Sequence, residues 1–133
     1  MGNIVNQLEL TNLIREIEHS FDDVVKWRRH LHQHPELSFE EHETSKFIAE
    51  KLEDFGLTVQ RNVGGTGLVA KIEGGQPGKT VAFRADFDAL PIQDLKKVSY
   101  ASKKEGVSHA CGHDGHTAAL LGFAKASQSI GIF

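Results

Sequence analysis

Cysteine is nearly absent from this chain: Cys111 stands alone among 133 residues. One thiol cannot close an internal disulfide, so the cysteine count gives no sign of an oxidising compartment. A basic excess is also missing. Fifteen Lys and Arg face eighteen Asp and Glu, for a net charge of −3. Such a balance offers no positive field to draw a nucleic-acid backbone, and no nucleic-acid partner is expected. No apolar run approaches the roughly 20 residues that span a bilayer, so no membrane contact is expected either. Met1 to Asn6 lack a charged region leading into an apolar one, which predicts no signal peptide. Asn6 stands where a myristoylation pattern wants Ser or Thr. Internal repeats and low-complexity stretches are absent. A cytoplasmic location is the resulting expectation.

What is present fits one ordinary domain, with 39% hydrophobic and 25% charged residues. Leu10, Leu13, Ile14, Ile17, Phe21, Val24, Val25 and Leu31 follow a helical period, predicting a helix over about 4–33 that Pro35 ends. Ser38 and Glu41 have the spacing of a capping box, and Phe47, Ile48, Leu52 and Phe55 mark one face. These predict a second helix over about 39–55, with Gly56 as its stop. Alternation and glycine turns then predict three strands within about 57–86, the third being Lys79 to Asp86. Residues 92–107 read as a loop, 109–116 as a candidate metal-site loop, and about 116–128 as a last helix. The fold class is α/β, a mixed β-sheet flanked by helices. The apolar ending Ile130 to Phe133 reads as a strand cut short or a frame-shifted tail.

The densest chemistry lies in His109-Ala110-Cys111-Gly112-His113-Asp114-Gly115-His116. Thiolate and imidazole are preferred ligands of zinc and its neighbours, and the glycines let close residues aim at one point. Cys111 and His113 are therefore the first candidate ligands. The alternatives are a buried inert cysteine, or a cysteine nucleophile activated by a neighbouring histidine. His116 is either a site residue or a polar residue at a helix start. Asp114 is a weaker candidate.

The second constellation is Arg84-Ala85-Asp86-Phe87-Asp88-Ala89-Leu90-Pro91. Strand alternation puts Asp86 and Asp88 on one face, where they can bind a metal or orient a ligand histidine. An ordinary Asp-rich turn closed by Pro91 is the alternative. His30, His32 and His34 alternate, but residues two apart on a helix do not face each other, so they read as a mixed helical surface, with a cleft-facing His32 as the alternative. Gly74 to Thr80 imitates a phosphate loop. The pattern needs a glycine where Glu73 stands and a helix where a strand is expected, so nucleotide binding is rejected there.

Three blocks now stand in order: Arg28 to Ser38, Arg84 to Pro91 and His109 to His116. Together they resemble the N-terminal part of the metal-dependent amidohydrolases that include hippurate hydrolase, N-acyl-amino-acid aminoacylases and indoleacetyl-amino-acid hydrolases. These belong to the wider aminoacylase and carboxypeptidase family of metallopeptidases. The resemblance implies an incomplete metallopeptidase-like catalytic domain with a two-ion site. It implies Cys111 and His113 as ligands, Cys111 as the bridge, and Asp88 as a supporting aspartate, with Asp86 the weaker of the pair. Manganese or zinc, with cobalt or nickel as alternatives, is the implied metal. The implied substrate is a small-molecule N-acyl amino acid, and the implied reaction is hydrolysis of its amide bond by a metal-activated water with a glutamate as general base. The complete enzyme is implied to be a homodimer. The family's Glu-Glu pair, its two later histidine ligands and its inserted dimer-forming domain have no match here. The expectation is thus a fragment inactive alone, or a non-catalytic remnant that at most binds metal.

Overall fold

Ser20 divides the long N-terminal helical stretch in two. In the computed structural model, which describes residues 7–75 and 77–131, α1 runs over Gln7–His19 and α2 over Phe21–Gln33. The Ser20 hydroxyl donates to the carbonyls of Glu16 (2.9 Å) and Ile17 (3.1 Å), competing with the helical ladder. Asp22 and Asp23 then favour a fresh helix start next to it. The single helix expected over 4–33 is therefore two, and residues 4–6 lie outside the described residues. At the other end His34 N–H reaches the carbonyls of His30 and Leu31, and Pro35 follows.

Helix α3 runs over His42–Asp54, and the expected capping box does not form. Ser38 is drawn away by Asp88 (Oγ to Oδ2, 2.5 Å). Glu36 caps the helix instead, accepting from the backbone N–H of Glu43 (3.2 Å) and Thr44 (2.7 Å). The C-terminal stop is as the glycine suggests. Gly56 has φ +84°, its N–H bonds Glu53 O, and Leu57 N–H bonds Leu52 O, which is a Schellman motif.

Strands β1 (Thr58–Val63) and β2 (Gly67–Lys71) pair antiparallel from Thr58↔Lys71 to Val63↔Gly67, with an irregularity at Asn62. Among the described residues this two-stranded ladder is the whole sheet. Lys79 to Asp86, the expected third strand, joins no ladder. Alternation makes a strand competent to pair, but a partner must supply the bonds. Pairing resumes just beyond, in isolated bridges: Leu37↔Ala89 parallel and Leu90↔Ser108 antiparallel.

Helix α4 runs over His113–Ile130, starting three residues before the expected His116. Gly112 precedes it with φ +88°, a left-handed turn that suits glycine. The core gathers Ile48, Leu52, Leu57, Leu121 and Ala124, with Trp27, Phe47 and Phe87 packed against them. Helices α2 and α4 approach closely at Gly122, where a Cβ would meet Val24 Cγ2 at 2.7 Å. No helix of the described residues is long and apolar enough to cross a membrane. The apolar ending lies outside the described residues at Ile132 and Phe133.

Candidate metal centre

His113 is the first residue of α4, and Asp88 reaches it from the chain just before the Ala89 bridge. His113 Nδ1 lies 2.8 Å from Asp88 Oδ1 and 3.1 Å from the Asp88 carbonyl. Only a proton on Nδ1 satisfies these acceptors, so in the neutral ring the lone pair lies on Nε2. A carboxylate behind one ring nitrogen, with the other free, is the arrangement that metal-ligating histidines use. Ser38 donates to the second oxygen of Asp88. The Ser38 hydroxyl, and next His113, hold the Asp88 carboxyl below its ordinary range against the opposing effect of burial. Ser38, Asp88 and His113 therefore form one chain of oriented groups.

Cys111 is exposed, so the reading of an inert buried thiol does not apply. His116 lies exposed in the first turn of α4, its ring centroid 6.0 Å from that of His113. Asp86 parts from Asp88. Its carboxylate takes Arg84 (Nη2 2.8 Å, Nε 3.1 Å), and its carbonyl accepts from Thr117. The two aspartates are not presented as a pair, because the segment that carries them is not a regular strand.

Asp114 faces the interior, 1% exposed. Its Oδ2 receives Arg28 Nε at 3.0 Å and His32 Nδ1 at 2.6 Å. His32 is 1% exposed, so the mixed helical surface expected for it is corrected to a buried, bonded position. Its signal lies in the sequence: Arg28 and His32 are four apart and share a helix face. His109 is buried too, and burial pushes its imidazole pKa down. Against His32 Nε2 lies Asp94 (Oδ2, 3.2 Å), whose carboxyl the backbone N–H groups of Ser102 and Lys96 hold well below the usual carboxylate range.

Cys111 thiol and His113 Nε2 are the donor types a divalent transition metal takes, and the support behind His113 fits such a role. Among the described residues no group of three or more His, Cys, Asp or Glu converges to hold a metal.

Fold and blocks together place the chain by similarity beside the N-terminal part of proteins named as amidohydrolases or as a dinuclear metal binding peptidase. More narrowly, residues 82–131 match the model of the family described as peptidase family M20/M25/M40. The chain is 52% identical over 117 residues to the N-acyl-L-amino acid amidohydrolase of Geobacillus stearothermophilus, covering 88% of this chain and 31% of that protein. It is 48% identical over 120 residues to the hippurate hydrolase of Campylobacter jejuni, covering 89% of this chain and 31% of that one. Among solved structures it is similar to the YXEP protein of Bacillus subtilis, described as a dinuclear metal binding peptidase from the M20 family. That match has a TM-score of 0.82 and 41% identity, and covers 86% of this chain and 33% of that one. The chain thus spans about a third of the length of the proteins it matches.

Proposed function

We propose that this chain supplies Cys111 and His113 to a two-ion centre, of manganese or zinc, that hydrolyses the amide bond of N-acyl amino acids. Asp88 acts behind His113 as the group that orients it. Asp86, Asp114 and His116 are not assigned as ligands. The observation that carries the reading is the Asp88–His113 contact at 2.8 Å, which leaves Nε2 free at the chain's densest run of ligand types. A divalent metal bound there supplies Lewis acidity toward the amide carbonyl. The chain's own residues hold the donor atoms, set the His113 tautomer and fix its ring. The same reading takes the complete enzyme as cytoplasmic and homodimeric, with its general-base glutamate and remaining ligands supplied from outside these 133 residues.

A second reading applies to the chain by itself. With no third converging ligand among the described residues, it binds metal weakly and is catalytically silent. Metal stoichiometry tests the first part: Cys111→Ser and His113→Ala should each lower bound zinc or manganese. Unchanged metal content in both would end the ligand assignment. High thiol reactivity with no metal uptake would favour a cysteine nucleophile instead. Efficient metal-dependent release of amino acid from N-acyl substrates by the 133-residue chain would overturn its silence.

A further inference from the structure

Asp114 follows a proposed ligand directly, yet its carboxylate points away from the thiol and into the protein. An ionised carboxylate buried this deeply is stable only when paired. Its Oδ2 has two partners, an ion pair with Arg28 Nε at 3.0 Å and a hydrogen bond with His32 Nδ1 at 2.6 Å. Oδ1 has no hydrogen-bond partner among the described residues. His32 is held in turn from behind. With Nδ1 facing Asp114, Nε2 lies 2.9 Å from Lys96 Nζ and 3.2 Å from Asp94 Oδ2, and Lys96 also contacts Asp94 at 3.3 Å. Asp94 is anchored on the Ser102 N–H at 2.9 Å. The imidazole therefore joins α2, the 94–102 loop and the first turn of α4.

That first turn carries His113, and the loop before it carries Cys111. The Gly115 and His116 amides bond back to the Gly112 carbonyl at 3.0 and 3.2 Å, which ties the end of the loop to the first turn. We propose that Arg28 and His32 are positioning residues: by fixing Asp114 they set where Cys111 and His113 stand relative to the metal. The proposal rests on the reading of those two residues as ligands. Asp88 orients the His113 ring, while Arg28 and His32 place the backbone that carries it. A His32 that only filled space would be replaced equally well by either amide of similar bulk.

The two amides separate these cases. In His32→Asn the side-chain amide would place an N–H close to the position of Nδ1, whereas in His32→Gln it extends toward Nε2. The whole 133-residue chain, as wild type, His32→Asn and His32→Gln, is titrated with Co2+ while the thiolate-to-cobalt charge-transfer band is followed. Hydrogen exchange at the Gly115 and His116 amides is read in the same proteins without metal. His32→Asn is expected to keep wild-type cobalt affinity and slow exchange. His32→Gln is expected to lose about tenfold in affinity, with faster exchange at those two amides and unchanged exchange in α3. Equal behaviour of the two variants, whether both intact or both impaired, overturns the proposal. Should His32→Gln not fold, Arg28→Gln removes the ion-pair partner of the same oxygen, from a partly exposed side chain. Weaker cobalt binding is expected there too, and wild-type binding with wild-type exchange overturns the proposal. If the wild-type chain takes up no cobalt, or Cys111→Ser takes up as much, the ligand reading fails by itself, and the exchange data still decide whether Arg28 and His32 hold the turn.

Discussion

Two regions of this chain invert the usual rule about which residues lie inside. At the junction of α2 with the start of α4, two charged or ionisable side chains are buried together: His32 and Asp114 are each 1% exposed. Along the irregular stretch before Asp88, the exposed residues are apolar: Val81 is 66% and Phe83 57% exposed. The junction is held by pairing between charged and hydrogen-bonding groups from three segments. The stretch has no ladder partner among the described residues, and Phe83 packs its ring against Phe123 at 4.6 Å. Side-chain type alone therefore predicts burial in neither region, and what decides is whether a partner is in reach.

The most severe way to break the junction is Asp114→Ala. Removal of the carboxylate leaves His32 buried against an empty acceptor position and Arg28 unpaired. A buried pair broken from one side costs about 4 kcal/mol. Urea unfolding should show a midpoint shifted far down with an unchanged slope. A midpoint within error of wild type would mean the junction contributes no stability. Leu121→Ala provides the apolar reference. Leu121 is 2% exposed in the cluster with Ile48, Leu52 and Leu57, and its truncation should cost about 3 kcal/mol. If Leu121→Ala proved much costlier than Asp114→Ala, the apolar cluster, not the polar junction, would dominate the fold.

Acid sharpens the comparison further, with a smaller effect. The backbone N–H groups of Ser102 and Lys96 bond the Asp94 carboxylate and depress its pKa in the folded chain. The unfolded chain binds that proton at the ordinary value near 4. A depressed carboxylate stabilises the fold above the unfolded value, and the contribution is lost as pH falls through the folded one. Stability should decline below about pH 4 on this account. Asp94→Asn should flatten that decline while lowering stability at neutral pH. An unaltered acid limb in the variant would remove Asp94 as a source. Asp88, lowered by Ser38 and His113, acts with the same sign.

The candidate site is more legible in the sequence than the fold that holds it. Cys111, His113 and Asp88 stand out because metal-ligand residue types are scarce, and here they crowd into short blocks. The Asp114–His32 bond does not, because its partners are 82 positions apart and only tertiary structure joins them. The same holds for Ser38, which spacing gives to a helix cap and packing gives to Asp88. Helices α2 and α3 are legible because a 3.6-residue period is local. The Lys79–Asp86 segment is not, because alternation shows that a strand is possible without showing what pairs with it.

Val81→Thr tests that last point and carries the smallest expected effect. Valine and threonine have nearly the same shape, so the exchange replaces one methyl with a hydroxyl. In a buried strand the new hydroxyl would need a partner, and the change would cost well over about 1 kcal/mol. At 66% exposure the hydroxyl reaches water, and substitution at such a position should change stability by less than about 0.5 kcal/mol. The same replacement removes exposed apolar surface, so light scattering on heating should fall or stay level. A loss of more than about 1 kcal/mol would show that this side chain is covered in solution, and the contrast between the two regions would then disappear.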